Sequence, residues 1–287
     1  MTPPKYFSPK SVEEAVSLLS QYGEKAKIVA GGTDFLMQLK HGEAVPKCLI
    51  SLGGIRELDF IKYDEMKGLR IGALTTIADV AKSSLIRSKF SILAQAADML
   101  GTPAVRNQAT MGGNLCNAAP SADTAPALLV LGAMAKIVGV EGEKIIPIED
   151  FFTGPGLTVI GDGRILTEIQ IPNLPPHSGG VYLKQTRRQG SDLAVVGVAA
   201  LVVMEGEILR DVKIALGAAA PTPIRAKKAE GILRGKKLDL KLVEETGQVA
   251  SHESMPIDDL RGSADYRRKL VAVLTKRAIT QAVLQEQ

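Results

Sequence analysis

Apolar residues recur at helical spacing between Ser11 and Tyr22, with Val12, Ala15, Val16, Leu18 and Leu19 sharing one side. Ser11 followed by Glu14 is a capping-box signature, and Gly23 suits the residue just past a helix end. The pattern then shortens. Lys27–Ala30 and Cys48–Leu52 are short apolar runs of strand type, and the stretch from Phe35 to about His41 between them is periodic as a helix. This predicts a small αβ unit over residues 1 to about 55.

The next stretch opens with two apolar runs, Leu58–Tyr63 and Leu69–Ala73, on either side of the polar turn Asp64–Gly68, which predicts a hairpin. Helices are predicted from Thr76, over Ile92–Leu100 with Gly101 closing it, and over Ala125–Leu131 with Asp123 or Thr124 at its start. Ala135–Val140, Glu143–Ile148 and Ile165–Ile171 have strand patterns, with a loop at Glu149–Gly156. The segment Pro172–Gly180 is dense in proline and glycine and predicts a linker. Beyond it come the strand-like runs Val181–Thr186, Leu193–Met204 and Val212–Ala218. Helical patterns follow at Pro223–Arg234, Leu240–Ala250 and Ser263–Leu284. Strands followed by helices indicate an α+β unit with its own core. The chain therefore divides into residues 1–175, in parts of about 1–55 and 56–175, and residues 178–287.

Two glycine pairs punctuate the first of these. One is Ala30-Gly31-Gly32-Thr33-Asp34, between a predicted strand and a helix with Thr33 or Asp34 as its cap. The other is Thr110-Met111-Gly112-Gly113-Asn114. Without a Cβ, such a turn can lie flat against a ligand, and its main-chain N–H groups can converge on an anion. Two such segments can hold the two phosphates of a dinucleotide. Asp34 would repel a phosphate unless its carboxylate turned into the helix cap. Neither pair fits G-x-G-x-x-G or the P-loop pattern.

Composition narrows the classes. A net charge of +4 and 4% aromatic residues with no Trp do not point to a nucleic-acid partner. Cys48 and Cys116 match no metal-ligand spacing, and His41, His177 and His252 are scattered. Zinc, non-haem iron and a histidine-based triad are therefore not expected. The stretch Met1–Tyr6 lacks the apolar region of a signal peptide, and the longest apolar run, Leu193–Met204, is too short to span a bilayer. A reducing, cytoplasmic location is the expectation.

The glycine pairs, the Asn117-Ala118-Ala119-Pro120-Ser121-Ala122-Asp123 run and the segment Arg261–Arg268, which contains Tyr266-Arg267-Arg268, together resemble the FAD-binding medium subunit of molybdenum hydroxylases. That family includes carbon monoxide dehydrogenase and bacterial xanthine dehydrogenase. The likeness runs through nearly the whole chain. It implies a PCMH-type FAD-binding domain of two αβ subdomains and a C-terminal α+β domain. It further implies FAD as cofactor, with Val29, Ala30, Gly31, Gly32, Thr33, Asp34, Phe35, Thr110, Met111, Gly112, Gly113 and Asn114 at the pyrophosphate. By the same match Asp123 makes a polar contact to FAD, Leu166 lies on the cofactor and Lys184 stands at the flavin. Leu100 and Leu193 are further candidates for packing on the ring. The implied partners are a molybdopterin-binding large subunit and a small subunit with two [2Fe–2S] clusters, in a dimer of heterotrimers. Electrons would pass from the clusters through this FAD to NAD+, a quinone or another acceptor. Some members hold an iron–sulfur cluster in this subunit, which needs four cysteines; two are present.

Each of these positions also has a purely structural reading. Lys184 can be a solvated strand lysine, Asp123 a helix cap, and the three leucines core residues. Cys116 reads as a small buried filler, and Arg106 as either a phosphate ligand or a pin for its loop. Tyr266, Arg267 and Arg268 read as stabilising the C-terminal domain or a subunit contact. Two rival functions remain: a self-sufficient flavin oxidoreductase, and an assembly subunit without cofactor.

Overall fold

The computed structural model describes residues 4–42, 46–188 and 190–286. Met1–Pro3 of the amino-terminal stretch and Gln287 at the end of the last predicted unit lie outside them.

The first unit holds β1 (Lys5–Phe7), α1 (Val12–Tyr22), β2 (Ala26–Val29), α2 (Phe35–Lys40) and β3 (Cys48–Ser51). Its strands form a parallel sheet in the order β1-β3-β2. Ser11 caps α1 by accepting from Glu14 N, and Glu14 Oε2 reaches back to Lys10 N at 2.7 Å. Gly23 takes φ +50° at the other end. The apolar face of α1 covers Cys48, Ile50 and Leu52, the small core of this unit.

The second unit begins with the predicted hairpin, β4 (Ile61–Asp64) and β5 (Gly68–Gly72). Five helices follow: α3 (Ile77–Lys82), α4 (Ser84–Lys89), α5 (Ser91–Asp98), α6 (Pro103–Arg106) and α7 (Met111–Cys116). Then come α8 (Thr124–Val130), β6 (Met134–Gly139), β7 (Gly142–Pro147), the short pair β8 (Phe152–Gly154) and β9 (Leu157–Thr158), and β10 (Arg164–Ile171). The main sheet is antiparallel in the order β4-β5-β10-β6-β7. α8 is buried along its whole length, which explains its unbroken apolar pattern. Part of the predicted loop at Glu149–Gly156 is the β8 strand.

The third unit is the antiparallel sheet of β11 (Ser178–Gln185), β12 (Val196–Glu205), β13 (Ile208–Gly217) and β14 (Ile224–Arg225). The helices are α9 (Lys227–Leu233), α10 (Leu240–Glu253) and α11 (Ala264–Leu284), with β15 (Lys236–Lys237) pairing on β13. The pattern at Pro223–Arg234, predicted as one helix, is strand at its start: the Leu216 edge of β13 recruits Ile224 before α9 begins. One face of this sheet packs on α10 and α11, through residues such as Val198, Ile214, Val271 and Ala278. The other face joins the second unit, where Tyr182, Ala199, Leu201 and Ala215 share a core with α5 and α8. Among the described residues, no helix is long and apolar enough to cross a membrane.

Candidate functional site: a dinucleotide cleft between two glycine pairs

The three units enclose a cleft of about 880 Å³. That lies within the roughly 300–1,000 Å³ usual for small-molecule and cofactor sites. The sequence-predicted residues Val29, Ala30, Gly31, Gly32, Thr33, Asp34, Phe35, Leu100, Thr110, Gly112, Gly113, Asn114, Asp123, Leu166 and Leu193 all line it. Met111 and Lys184 do not. Met111 is fully buried in the core. Lys184 points away from the open space, as described below.

The first glycine pair leaves β2 and enters α2. Gly32 takes φ +74°, a conformation glycine adopts freely. Among the described residues, the N–H groups of Gly31, Gly32, Thr33 and Asp34 have no protein acceptor. Four consecutive open donors beside a cleft form an anion-binding concavity. Asp34 occupies the cap position of α2, but its side chain does not cap the helix; among the described residues its one hydrogen-bond partner is the Thr33 hydroxyl, at 3.5 Å.

The second pair is built differently. It is not an open loop but the first turn of α7, and each of its donors is used. Met111 N donates to Thr75 O at 3.0 Å and Gly112 N to Ala73 O at 2.8 Å. Gly113 N donates to the Thr110 hydroxyl at 3.0 Å, and Asn114 N to Thr110 O at 2.9 Å. The glycines here serve close packing. A Cβ on Gly112 would stand 2.7 Å from Ala73 Cβ, and one on Gly113 would stand 2.8 Å from the Thr110 hydroxyl. Gly31 packs on the segment just before the second pair: its Cβ would fall 1.9 Å from Gln108 O. Asn114 accepts the Thr124 hydroxyl at 2.6 Å, tying α7 to α8.

Asp123 stands where the cleft meets the C-terminal sheet. Its side chain does not cap α8. Instead Oδ1 accepts the Tyr182 hydroxyl at 2.8 Å and Oδ2 accepts Lys184 Nζ at 2.8 Å. Lys184 also donates to Met99 O at 3.0 Å. The Asp123 and Lys184 side chains are each 5% exposed. Burial pushes the Asp123 carboxyl above its usual range, against the pull of Lys184 and Tyr182. Burial, reinforced by the neighbouring carboxylate, holds the Tyr182 phenol well above its ordinary value, so it remains a donor.

Arg106 pins its loop, donating to Leu100 O at 3.1 Å and Gly101 O at 3.3 Å. Cys116 is open to the cleft rather than a core filler, yet the walls desolvate it and push its thiol up to about 12. Arg267 is a buried strut of the C-terminal domain, donating to Val195 O at 2.8 Å and Ala218 O at 3.0 Å and pairing with Asp259. Arg268 pairs with Asp265 and stays half-exposed.

Several cleft residues escaped the sequence reading. Thr158 and the turn Ile160–Arg164 wall one side, and Lys27 stands on β2. Arg188, Ser191 and Asp192 bring the C-terminal domain to the rim. The closely spaced Gly161 and Gly163, both at positive φ, were the available signal for the turn. Nothing in the local pattern marks the rim segment.

Comparison with known proteins agrees with this geometry. Residues 2–174 match the family model of the FAD binding domain in molybdopterin dehydrogenase, and residues 181–282 that of the CO dehydrogenase flavoprotein C-terminal domain. The carbon monoxide dehydrogenase medium chain of Hydrogenophaga pseudoflava is 34% identical over 284 residues, covering 98% of both chains. The xanthine dehydrogenase FAD-binding subunit of Escherichia coli O157:H7 is 33% identical, covering 97% of this chain and 95% of that one. A solved structure of the Hydrogenophaga pseudoflava carbon monoxide dehydrogenase, lacking the Mo-pyranopterin moiety, superposes with a TM-score of 0.96 at 33% identity over 100% of both chains. The open donors, the braced glycine turn and the cleft volume suit a dinucleotide, and FAD is the cofactor of this fold. The chain belongs to the FAD-binding medium subunits of the molybdenum hydroxylases.

Proposed function

We propose that this chain is the electron-relay subunit of a molybdenum hydroxylase. In this reading a molybdopterin-binding large subunit oxidises the substrate, and a small subunit with two [2Fe–2S] clusters delivers the electrons. FAD, when bound, takes electrons singly and yields them in pairs to NAD+, a quinone or another acceptor. The observation that carries the reading is the row of open N–H groups at Gly31–Asp34, set against the closed turn at Gly112–Gly113. That row would hold the pyrophosphate, with Leu166 and Leu100 along the cleft wall and Asp123 as the buried carboxylate beside the cofactor. We assign residues 1–175 to cofactor binding and 178–287 to the C-terminal domain, and place the assembly in the cytoplasm as a dimer of heterotrimers.

The cleft favours relay over direct substrate oxidation. No histidine lines it among the described residues. Asp123 is engaged at both oxygens, and the Cys116 thiol is held protonated. The remaining carboxylates of the lining that lack a cationic partner, Asp34 and Asp162, are solvent-exposed rather than set in the buried part of the cleft. The test is anaerobic mixing of the isolated, FAD-loaded chain with candidate substrates. The flavin should stay oxidised until a reduced iron–sulfur partner is added. Direct bleaching by substrate alone would assign the chain to the self-sufficient oxidoreductases.

A further inference from the structure

The carboxylate of Asp123 is placed by the C-terminal domain, not by its own helix. Tyr182 and Lys184, two residues apart on β11, project from the same face of the strand and take one Asp123 oxygen each. The neighbouring strands are shaped for this contact. Gly197 on β12 is the register partner of both Lys184 and Gly217. A Cβ on Gly197 would stand 2.5 Å from the Tyr182 hydroxyl. A Cβ on Gly217 would stand 2.8 Å from Pro126 Cγ, in the first turn of α8. Two adjacent glycines thus flatten the sheet where the start of α8 sits on it. A main-chain bond from Ala218 N to Pro120 O, at 2.7 Å, fastens the same edge. On the same face the next residues are Ala199 and Ala215, and only then Leu201, so the two positions without any Cβ are those beside the Asp123 contact.

We propose that Tyr182 and Gly197, neither of which lines the cleft, are positioning residues for the FAD site: Gly197 leaves room for the Tyr182 hydroxyl, and that hydroxyl together with Lys184 fixes Asp123. Lys184 then acts on the cofactor through Asp123 rather than as a free cation. The charges of the two side chains offset each other, so the pair presents an oriented, near-neutral group beside the cleft. This rests on the FAD-carrier reading above and adds to it that cofactor retention depends on a strand of the second domain.

The test is FAD titration of the full-length chain, stripped of flavin, with the midpoint potential of the bound flavin as second readout. Tyr182→Phe keeps the buried ring and removes only the donor. It is expected to weaken FAD binding roughly tenfold, the scale of one buried hydrogen bond to a charged group. It should also lower the flavin potential, because Asp123 is then less well compensated. Gly197→Ala leaves every polar group in place and displaces the hydroxyl; it should weaken binding in the same direction. In an Asp123→Ala background, Tyr182→Phe should cost less than about twofold more, because the two act through one contact. If the wild-type chain takes up FAD and Tyr182→Phe matches it in affinity and potential, the inference is overturned while the FAD-carrier reading stands. Full multiplication of the Tyr182 and Asp123 effects also overturns it. A wild-type chain that takes up no FAD overturns both.

Discussion

The two glycine pairs resemble each other in sequence and differ in what they leave open. At Gly31–Asp34 the chain turns out of a strand with four donors unspent among the described residues. At Met111–Asn114 every donor is spent on Ala73, Thr75 or Thr110. The first can receive an anion; the second is a brace that ties the start of α7 to the Ala73–Thr75 segment. Absence of a Cβ thus serves two ends in one site: backbone freedom at Gly32, and close approach at Gly31 and Gly112.

Substitutions should separate these roles. Gly31→Ala is expected to have the largest effect, because its Cβ meets the Gln108 carbonyl, backbone that cannot swing aside. We expect a stability loss of about 3 kcal/mol in denaturant unfolding, with FAD content falling as well. Gly112→Ala should follow at about 2 kcal/mol, through its clash with Ala73. That loss should be the same in the flavin-free chain, since the brace is formed without cofactor. Gly32→Ala has room for the methyl group but strains the backbone at positive φ, by about 1–2 kcal/mol. Relief of that strain rotates the open donors, so FAD affinity should drop further than stability does. Thr110→Ala removes the cap of α7 and should cost about 1 kcal/mol, read as a lower unfolding midpoint. If Gly112→Ala instead weakened FAD alone and spared the apo chain, the distinction between receiver and brace would fail.

Local pattern made much of the fold legible. The α1 capping box, the β4–β5 hairpin and the buried α8 run each follow from short-range rules of capping, alternation and apolar content. Long-range partners were not legible. Thr110 caps α7, and the next two amides, Met111 N and Gly112 N, are held by the Thr75 and Ala73 carbonyls, which lie some distance back in the chain. Asp123 reads as a cap from its neighbours, yet its carboxylate is claimed by Tyr182 and Lys184 from another sheet. Lys184 reads as solvated or flavin-facing from its neighbours, yet its ammonium is buried on Asp123 and the Met99 carbonyl. Strand Ile224–Arg225 was hidden because its pairing edge, not its own pattern, makes it a strand.

Amide hydrogen exchange on the full-length chain, with and without FAD, tests the central claim most directly. The amides of Gly31, Gly32, Thr33 and Asp34 should exchange quickly in the flavin-free chain and become protected when FAD binds. Those of Met111, Gly112, Gly113 and Asn114 should be protected in both. Protection gained at Met111–Asn114 with none at Gly31–Asp34 would contradict the account.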